Sequence, residues 1–474
     1  MKIGCRVLFA LSVCLFVGCE KTNYDDLIKL KKERDAARNG ESSLTVTTSP
    51  EGAAETTLAR RTIAEKLMPV AATPAPRRKV DRQALIASVE SVRGKVVLSD
   101  SGAIEAVDVS KFPNDNDILA SLASCSELKS ISFNGATLND ESWEILSQMS
   151  QLESLDIPQA KLTTEAIDYL SRIPNLKFLQ LSKASFPNGG FKQFAAFPAL
   201  EQIRCPQTRV GSSEIAQLAS LESLRALDLT ENRIGTSALE AISSLPNLSF
   251  LKLTGRQISD SALESIAKMP ALKVLGLNDT KVTDEGMKQL QACKNLQEVY
   301  LSGTSIGDEG LKALAQIPSI EVLALPNTKI SDEGVAALSE LPNLRQLDLS
   351  QNSLVTDASA EAFENMAKLE KANFYDTKVG SRVVKSISKL DSVTWLNIDK
   401  TNVTDSSLKM VQEMEQLTWL HCGSNRGRLT ADGAKMLSKL KNLKYLNVSR
   451  NGILKGELKE LKEMITDNGG TVVF

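Results

Sequence analysis

The sequence has little of what enzymes ordinarily work with. Its 474 residues include a single histidine, His421, and only 4% aromatics. A Ser–His–Asp hydrolase or a zinc enzyme draws on more His, or on clustered Cys, than this. Excess charge is missing too. Lys and Arg number 56 against 58 Asp and Glu, a net charge of −2, and no basic stripe runs along the chain, which argues against nucleic acid as the main partner. The apolar run Val7–Val17 is shorter than the ~20 helical residues that cross a bilayer. What is abundant is Leu, Ile, Ala and Val, so the core is aliphatic.

The start, MKIGCRVLFALSVCLFVGCEK, reads as an export signal, with Lys2 and Arg6 as its positive end and Val7–Val17 as its apolar centre. It closes on Phe16-Val17-Gly18-Cys19, which resembles the lipobox of bacterial lipoproteins. That resemblance implies cleavage before Cys19 and acylation of its thiol and new amino group. Phe16 stands where the family usually has Leu, and an ordinary secretory signal with an incidental Cys19 is the alternative. Within that family Glu20 after the Cys points to the outer membrane, on its periplasmic or surface side. Residues 1–18 are thus a signal peptide, and residues 19–80 an anchor cysteine and tether. Tyr24–Arg38 is a short charged helix, whereas Asn39–Lys79, rich in Ser, Thr, Ala and Pro, has too little apolar content for a core. As a flexible chain of about 60 residues the tether spans on the order of 40 Å.

Residues 81–103 form an N-terminal cap, and from Ile104 the chain repeats. Leu128, Leu152, Leu176, Leu200, Leu224, Leu248, Leu272, Leu296, Ile320 and Leu344 open successive units of 24 residues. Leu369, Val393, Leu417 and Leu443 continue them with small insertions, about fifteen units in all. Such a period is the signature of a solenoid. In Leu296–Ser319, Leu296, Val299 and Leu301 follow a strand pattern, Thr304 and Ile306 a turn, and Leu311, Leu314 and Ile317 one helix face. Neither half buries its apolar side alone; stacked copies do. The pattern L-x-x-L-x-L-x-x-(T/N)-x-I-(T/S)-D-x-G-L over Ile104–Phe474 resembles leucine-rich repeats, close to the ribonuclease-inhibitor-like subtype and its bacterial variants. The resemblance implies an α/β horseshoe with a parallel sheet on the concave face and short helices on the convex face. Val96–Leu98 and Ile104–Val109, joined at Asp100-Ser101-Gly102, are expected to close one sheet edge as a hairpin, and Thr471–Phe474 to close the other.

Paired acids such as Asp308-Glu309 could signal catalysis or metal. Their column, however, holds Asp140, Asp260, Asp284, Asp308, Asp332 and Asp405 interchangeably with Thr164, Ser212, Thr236 and Ser381. These are helix-capping types, so the expectation is that Asp308 caps the start of its own helix. The rival, a calcium ladder, meets a column broken too often. Small residues two places on, Gly286, Gly310, Gly334, Ala238 and Ala262, are expected to let helix approach sheet. The turn column of Thr208, Thr280, Thr304, Thr328, Thr377 and Thr401, alternating with Asn232, Asn352, Asn425 and Asn451, is scaffold; the family resemblance implies bonds to the neighbouring turn. Cys205 and Cys422 fall on inward strand positions, and Cys125 and Cys293 on the last apolar helix position. At ~4.8 Å between strands none is near enough to another for a disulfide.

The concave face carries the remaining candidates. Trp395, Trp419 and Tyr445 occupy one strand position in consecutive units, and Asn397, His421 and Asn447 run beside them. Tyr375, Asn373 and Asp399 belong to the same patch, and insertions at Leu354-Val355 and Arg426-Gly427-Arg428 add loop material nearby. Such a platform suits a protein hot spot or sugar stacking, unless the rings merely cover the sheet. The ligand-binding candidates are therefore Trp395, Trp419, Tyr445, His421, Tyr375, Asn397, Asp399 and Asn447. With no cofactor, metal or nucleic acid implied, the expected function is a non-enzymatic module on the bacterial cell envelope, binding protein on its concave face. A cell-envelope glycan ligand and a purely structural envelope role are the alternatives. Similar repeats also serve eukaryotic ubiquitin ligases as substrate adaptors, but no adaptor-binding helical module precedes these repeats.

Overall fold

A computed structural model describes residues 81–109, 116–133, 138–425 and 427–474. The signal, Cys19, the charged stretch at 24–38 and the tether lie outside them. The described residues hold one seventeen-stranded sheet. Strand β1 (Lys95–Leu98) pairs antiparallel with β2 (Ile104–Asp108), and Gly102 in the turn between them has φ +78°. From β2 onward every strand pairs parallel with the next, as far as Thr471–Val473. The expected hairpin and last strand therefore sit at opposite edges of one sheet.

Each unit follows from its sequence pattern. In Leu296–Ser319 the strand is only Glu298–Tyr300 and the helix is Asp308–Ala315. Leu296, Val299, Leu301, Ile306, Leu311, Leu314 and Ile317 are all fully buried, forming one layer that stacks on identical layers before and after. Two units depart from the expected α-helix. Gly190–Ala196 and Asp357–Asn365 are 3-10 helices. In the first, Phe191, Phe194 and Phe197 are spaced by three, the repeat of a 3-10 helix, in which side chains eclipse. Their rings stack at 5.0 and 5.3 Å, and Ala360, Phe363 and Met366, all buried, repeat the spacing in the second.

The acidic column does not cap its own helix. Asp308 is the first helical residue and Gly307 the N-cap. Its carboxylate instead crosses to the next unit, where the backbone N–H and the hydroxyl of Ser331 donate to it at 2.8 and 2.6 Å. Asp260 receives the same pair from Thr283, Asp332 from Thr356 and Asp405 from Thr430. Glu309 lies on the surface, where Lys312 bridges it to Glu333. The small residues in the helix have a different reason from the expected one. A Cβ at Gly286, Gly310 or Gly334 would come within 2.4–2.5 Å of the carboxylate reaching over from Asp260, Asp284 or Asp308. Where the preceding unit offers Ser212 or Thr236 in place of Asp, the position is Ala238 or Ala262. Glycine here makes room for an acid, not for the sheet.

Two amide ladders complete the lock. Asn352 Oδ1 accepts from the backbone N–H and hydroxyl of Thr328 one unit back, while its Nδ2 donates to the carbonyls of Leu325 and Leu349. Asn232 and Asn425 do likewise. The threonines of this column bond mainly their own turn, Thr280 to the Leu277 carbonyl and Thr304 to that of Leu301. On the return from helix to strand, Asn247, Asn295 and Asn343 donate to carbonyls of Glu222, Pro270 and Pro318. Buried polar groups need such partners. Cys205 and Cys422 are fully buried at inward positions, and burial pushes both thiols up. Cys293 is pushed up to about 11 by the same cause, and Cys125 is partly buried.

Charge is also buried on the concave side of the first units. Arg204 and Asp228 are 7% and 5% exposed, with Nε and Oδ2 3.8 Å apart. Asp156 lies in the same column, its Oδ1 buried without a hydrogen-bond partner. Burial pushes its carboxyl up to about 6, helped by Asp108 and opposed by the Ser132 hydroxyl and by Arg204.

This packing can be tested at two points. Gly310→Ala forces the Asp284 carboxylate aside and lowers stability by about 1–3 kcal/mol, read from the denaturant midpoint. Asp284→Ser with Gly310→Ala restores much of it, because Ser212 with Ala238 is a native pair of that kind. For Asp156, a folded-state value above the unfolded one means that the fold takes up a proton as pH falls through about 6. Stability therefore rises on going from pH 7.5 toward 4.5 by this group's contribution, and Asp156→Asn removes that rise. The variant gains about 1–3 kcal/mol at pH 7.5 and little at pH 4.5, measured by thermal melts across the range.

Candidate functional site

Parallel register brings the sequence-predicted residues together. Trp395 pairs with Trp419 and Trp419 with Tyr445, while Asn397, His421 and Asn447 line up beside them. All six side chains are partly buried on the concave face. The rings do not form a row of open platforms. Trp419 and Tyr445 stack face to face, centroids 4.0 Å apart and planes 7° from parallel. His421 packs against three rings, at 5.9 Å from Trp395, 6.1 Å from Trp419 and 4.9 Å from Tyr445.

Hydrogen bonds then fix this cluster. The indole Nε1–H of Trp419 donates to His421 Nε2 at 2.8 Å. His421 Nδ1 lies 3.5 Å from Asp399 Oδ2, and Asn447 Nδ2 donates to the same carboxylate oxygen at 3.1 Å. With Nε2 accepting, the neutral imidazole carries its proton on Nδ1, toward Asp399. The Tyr445 phenol is pushed up by burial and by the Asp399 charge, which keeps it protonated through the neutral range.

Several candidates turn out to serve the turn as well. At the third strand position, a side-chain oxygen repeatedly accepts the backbone N–H two residues on. Asp348 takes that of Ser350, Asn373 that of Tyr375, Asn397 that of Asp399 and Asn447 that of Ser449. His421 breaks the series. Asp399, reaching from the unit before, accepts the N–H of Gly423 in its place. Tyr300 shows the same substitution, since Asn278 of the preceding unit accepts the N–H of Ser302. Asp399 is thus partly scaffold, with 13% of its side chain exposed. Tyr375 stands one unit earlier, its ring 5.8 Å from Lys400 Nζ. Arg428 bonds Asn402 and the Thr401 carbonyl rather than the aromatic cluster, Leu354 is 56% exposed, and Arg426 lies outside the described residues.

One feature of the concave side escaped the sequence reading. Along two stretches of the sheet, residues at or just before the strand alternate in charge. Lys129 faces Glu105, Lys177 faces Glu153, Arg225 faces Glu201, and Arg345 sits between Glu321 and Glu370. The signal was present at a spacing of 24 residues, but alternating signs average to nothing when composition is read unit by unit. Ser249, Lys273 and Gln297 interrupt the ladder in mid-chain, and Thr394 and Thr418 take the position before Trp395 and Trp419.

Comparison with known proteins agrees with this geometry. A family model described as a leucine-rich repeat matches residues 220–243, 292–315 and 340–363, segments separated by whole 24-residue periods. No curated protein matches the chain. Among solved structures, a leucine-rich-repeat protein of Leptospira interrogans is similar at 19% identity and a TM-score of 0.50, over 85% of this chain and all of that one. An internalin of Listeria monocytogenes aligns at 17% identity and a TM-score of 0.49, over 74% of this chain and 98% of that one. Proteins built of such repeats are generally protein-interaction modules. With the sheet, the helices and the repeat model in agreement, the chain folds as a leucine-rich-repeat solenoid.

Proposed function

We propose that this solenoid is a non-enzymatic binding module of the bacterial cell envelope, anchored through lipid on Cys19, with a protein partner held on the concave face at Trp395, Trp419 and Tyr445. The repeats follow the ribonuclease-inhibitor-like subtype, and the tether from Cys19 gives them reach from the membrane. The observation that carries the reading is the in-register aromatic column. Three large rings lie on adjacent strands, and two of them, Trp419 and Tyr445, are stacked on each other, with Trp419 also bonded to His421; rings held in this way lose little conformational entropy on binding, as hot spots do. Asn447 and Asp399 place polar groups at their side.

The same stacking bears on the glycan alternative. A sugar packs on an open aromatic face, and one face of Trp419 is already covered by Tyr445 at 4.0 Å. A cluster in which Trp419 and Tyr445 cover one face of each other fits side chains of a folded or extended polypeptide better.

Two experiments test the proposal. In detergent-solubilised co-purification from the native host, a polypeptide that accompanies the wild type in stoichiometric amount is absent with Trp395→Ala/Trp419→Ala, while circular dichroism shows the variant folded. An identical set of companions with both proteins sinks the concave site. Cys19→Ser moves the protein from the membrane to the soluble fraction and abolishes palmitate incorporation; retention of label refutes the anchor at that residue.

A further inference from the structure

We infer that protonation of His421 opens the aromatic patch, so that the concave site has one shape at neutral pH and another in acid. The inference rests on the concave-site reading above and adds its regulation.

The geometry begins with one hydrogen bond. Trp419 Nε1–H can donate to His421 Nε2, at 2.8 Å, only while that nitrogen keeps its lone pair. A histidine ordinarily gains its second proton between about pH 5 and 8. That proton comes from solvent and enters at Nε2, the acceptor atom, since Nδ1 already carries one. Two N–H groups then point at each other across 2.8 Å, and the contact turns from bond to repulsion. The indole cannot yield alone, because its ring lies 4.0 Å from that of Tyr445. Releasing Trp419 therefore unstacks the centre of the patch.

The surroundings determine which groups share in the change. Asp399, from the turn after the Trp395–Asn397 strand, is the one formal charge within ion-pairing distance of the imidazole among the described residues, at 3.5 Å. It stays in place, tied to Gly423 N–H and Asn447 Nδ2. The Tyr445 ring packs on the imidazole from the following unit, and its phenol, pushed up, does not ionise in this range. Trp395 and Asn447 carry no charge. One residue thus controls the change, and it is the chain's only histidine.

A second observation sets His421 apart from scaffold. Among the C-terminal units its strand position holds Asp348, Asn373, Asn397 and Asn447, each capping its own turn, whereas earlier units place Lys252, Gly276, Tyr300 and Ala324 there. His421 gives up that bond, and Asp399 makes it instead. An asparagine would have served the turn directly. The histidine is accommodated only by recruiting a carboxylate from the neighbouring unit, and that carboxylate then faces the imidazole.

The test follows the three indole N–H resonances of the full chain by NMR from pH 8 to 5, with Trp419→Phe assigning the signal. In the wild type the Trp419 resonance shifts with the slope of a single proton, together with the near-ultraviolet dichroism of the Trp419–Tyr445 stack. In His421→Gln, which keeps an acceptor but takes no proton, both changes are lost. A flat Trp419 signal in the wild type, or the same transition in His421→Gln, overturns the inference. If His421→Gln does not fold, His421→Asn, the residue type that Asn397 and Asn447 place at the same strand position, takes its place, and a pH-dependent Trp419 signal that survives in it overturns the inference. No ligand enters these measurements, so their failure is distinct from a failure of the co-purification.

Discussion

A parallel strand of three residues cannot hold its own register, and everything on the concave face depends on register. A slip of one residue would turn every side chain to the other side of the sheet. What prevents it here is the bond that crosses from one unit to the next at the same atom of each period. Asp308 reaches Ser331, Asn352 reaches Thr328 and Asn343 reaches the Pro318 carbonyl. These three ladders clamp the helix start, the turn after the strand and the turn before it. Each works at one displacement only, because a carboxylate or amide moved by a residue would face no donor. Hydrophobic layers supply the larger driving force but are tolerant of small shifts; the polar ladders supply the discrimination.

The lock explains how the binding face can vary without harm to the core. Each unit shows two side chains to the concave side, flanking a buried residue such as Val299, Leu396 or Leu420. The first of the two has no duty in the turn, so Glu298, Trp395, Trp419 and Tyr445 can occupy it alike. The second shares in the turn in several units, and at two of the residues unable to cap there the unit before supplies the acceptor. Tyr300 receives it from Asn278 and His421 from Asp399. At these two places an outward-facing ring is paired with a neighbour that repairs the turn.

Much of this is legible in the sequence because a period of 24 residues carries its own alignment. The strand, turn and helix of each unit, the hairpin at β1 and β2, the inward Cys205 and Cys422 and the grouping of Trp395, Trp419, Tyr445 and His421 all follow from columns of residue type. Columns say less about which partner a polar atom chooses. The Asp column reads as helix caps because Asp, Ser and Thr cap helices, and it does satisfy helix starts, but those of the following unit. That distinction depends on the axial rise between units, which no residue type records. The glycines mislead for the same reason, since the atom that excludes a Cβ at Gly310 belongs to Asp284 in the preceding unit. The stacking of Trp419 on Tyr445 is equally beyond reach, because adjacency permits either stacked or splayed rings.

The two halves of the concave face handle burial in opposite ways, and this bears on the site proposed at the aromatic units. In the first units, Arg204 and Asp228 are nearly fully buried and Asp156 is held uncomfortably as an acid. Their charges are committed to one another, and burial leaves little of either side chain for a partner to cover. Toward the C-terminal end the same positions hold rings and amides, and the neighbouring charge of Asp399, in the turn, is fastened by Gly423 and Asn447. A partner landing there removes apolar edges from water and leaves the charge in its existing bonds. That contrast is the physical ground for proposing the protein site at Trp395, Trp419 and Tyr445 rather than among the first units.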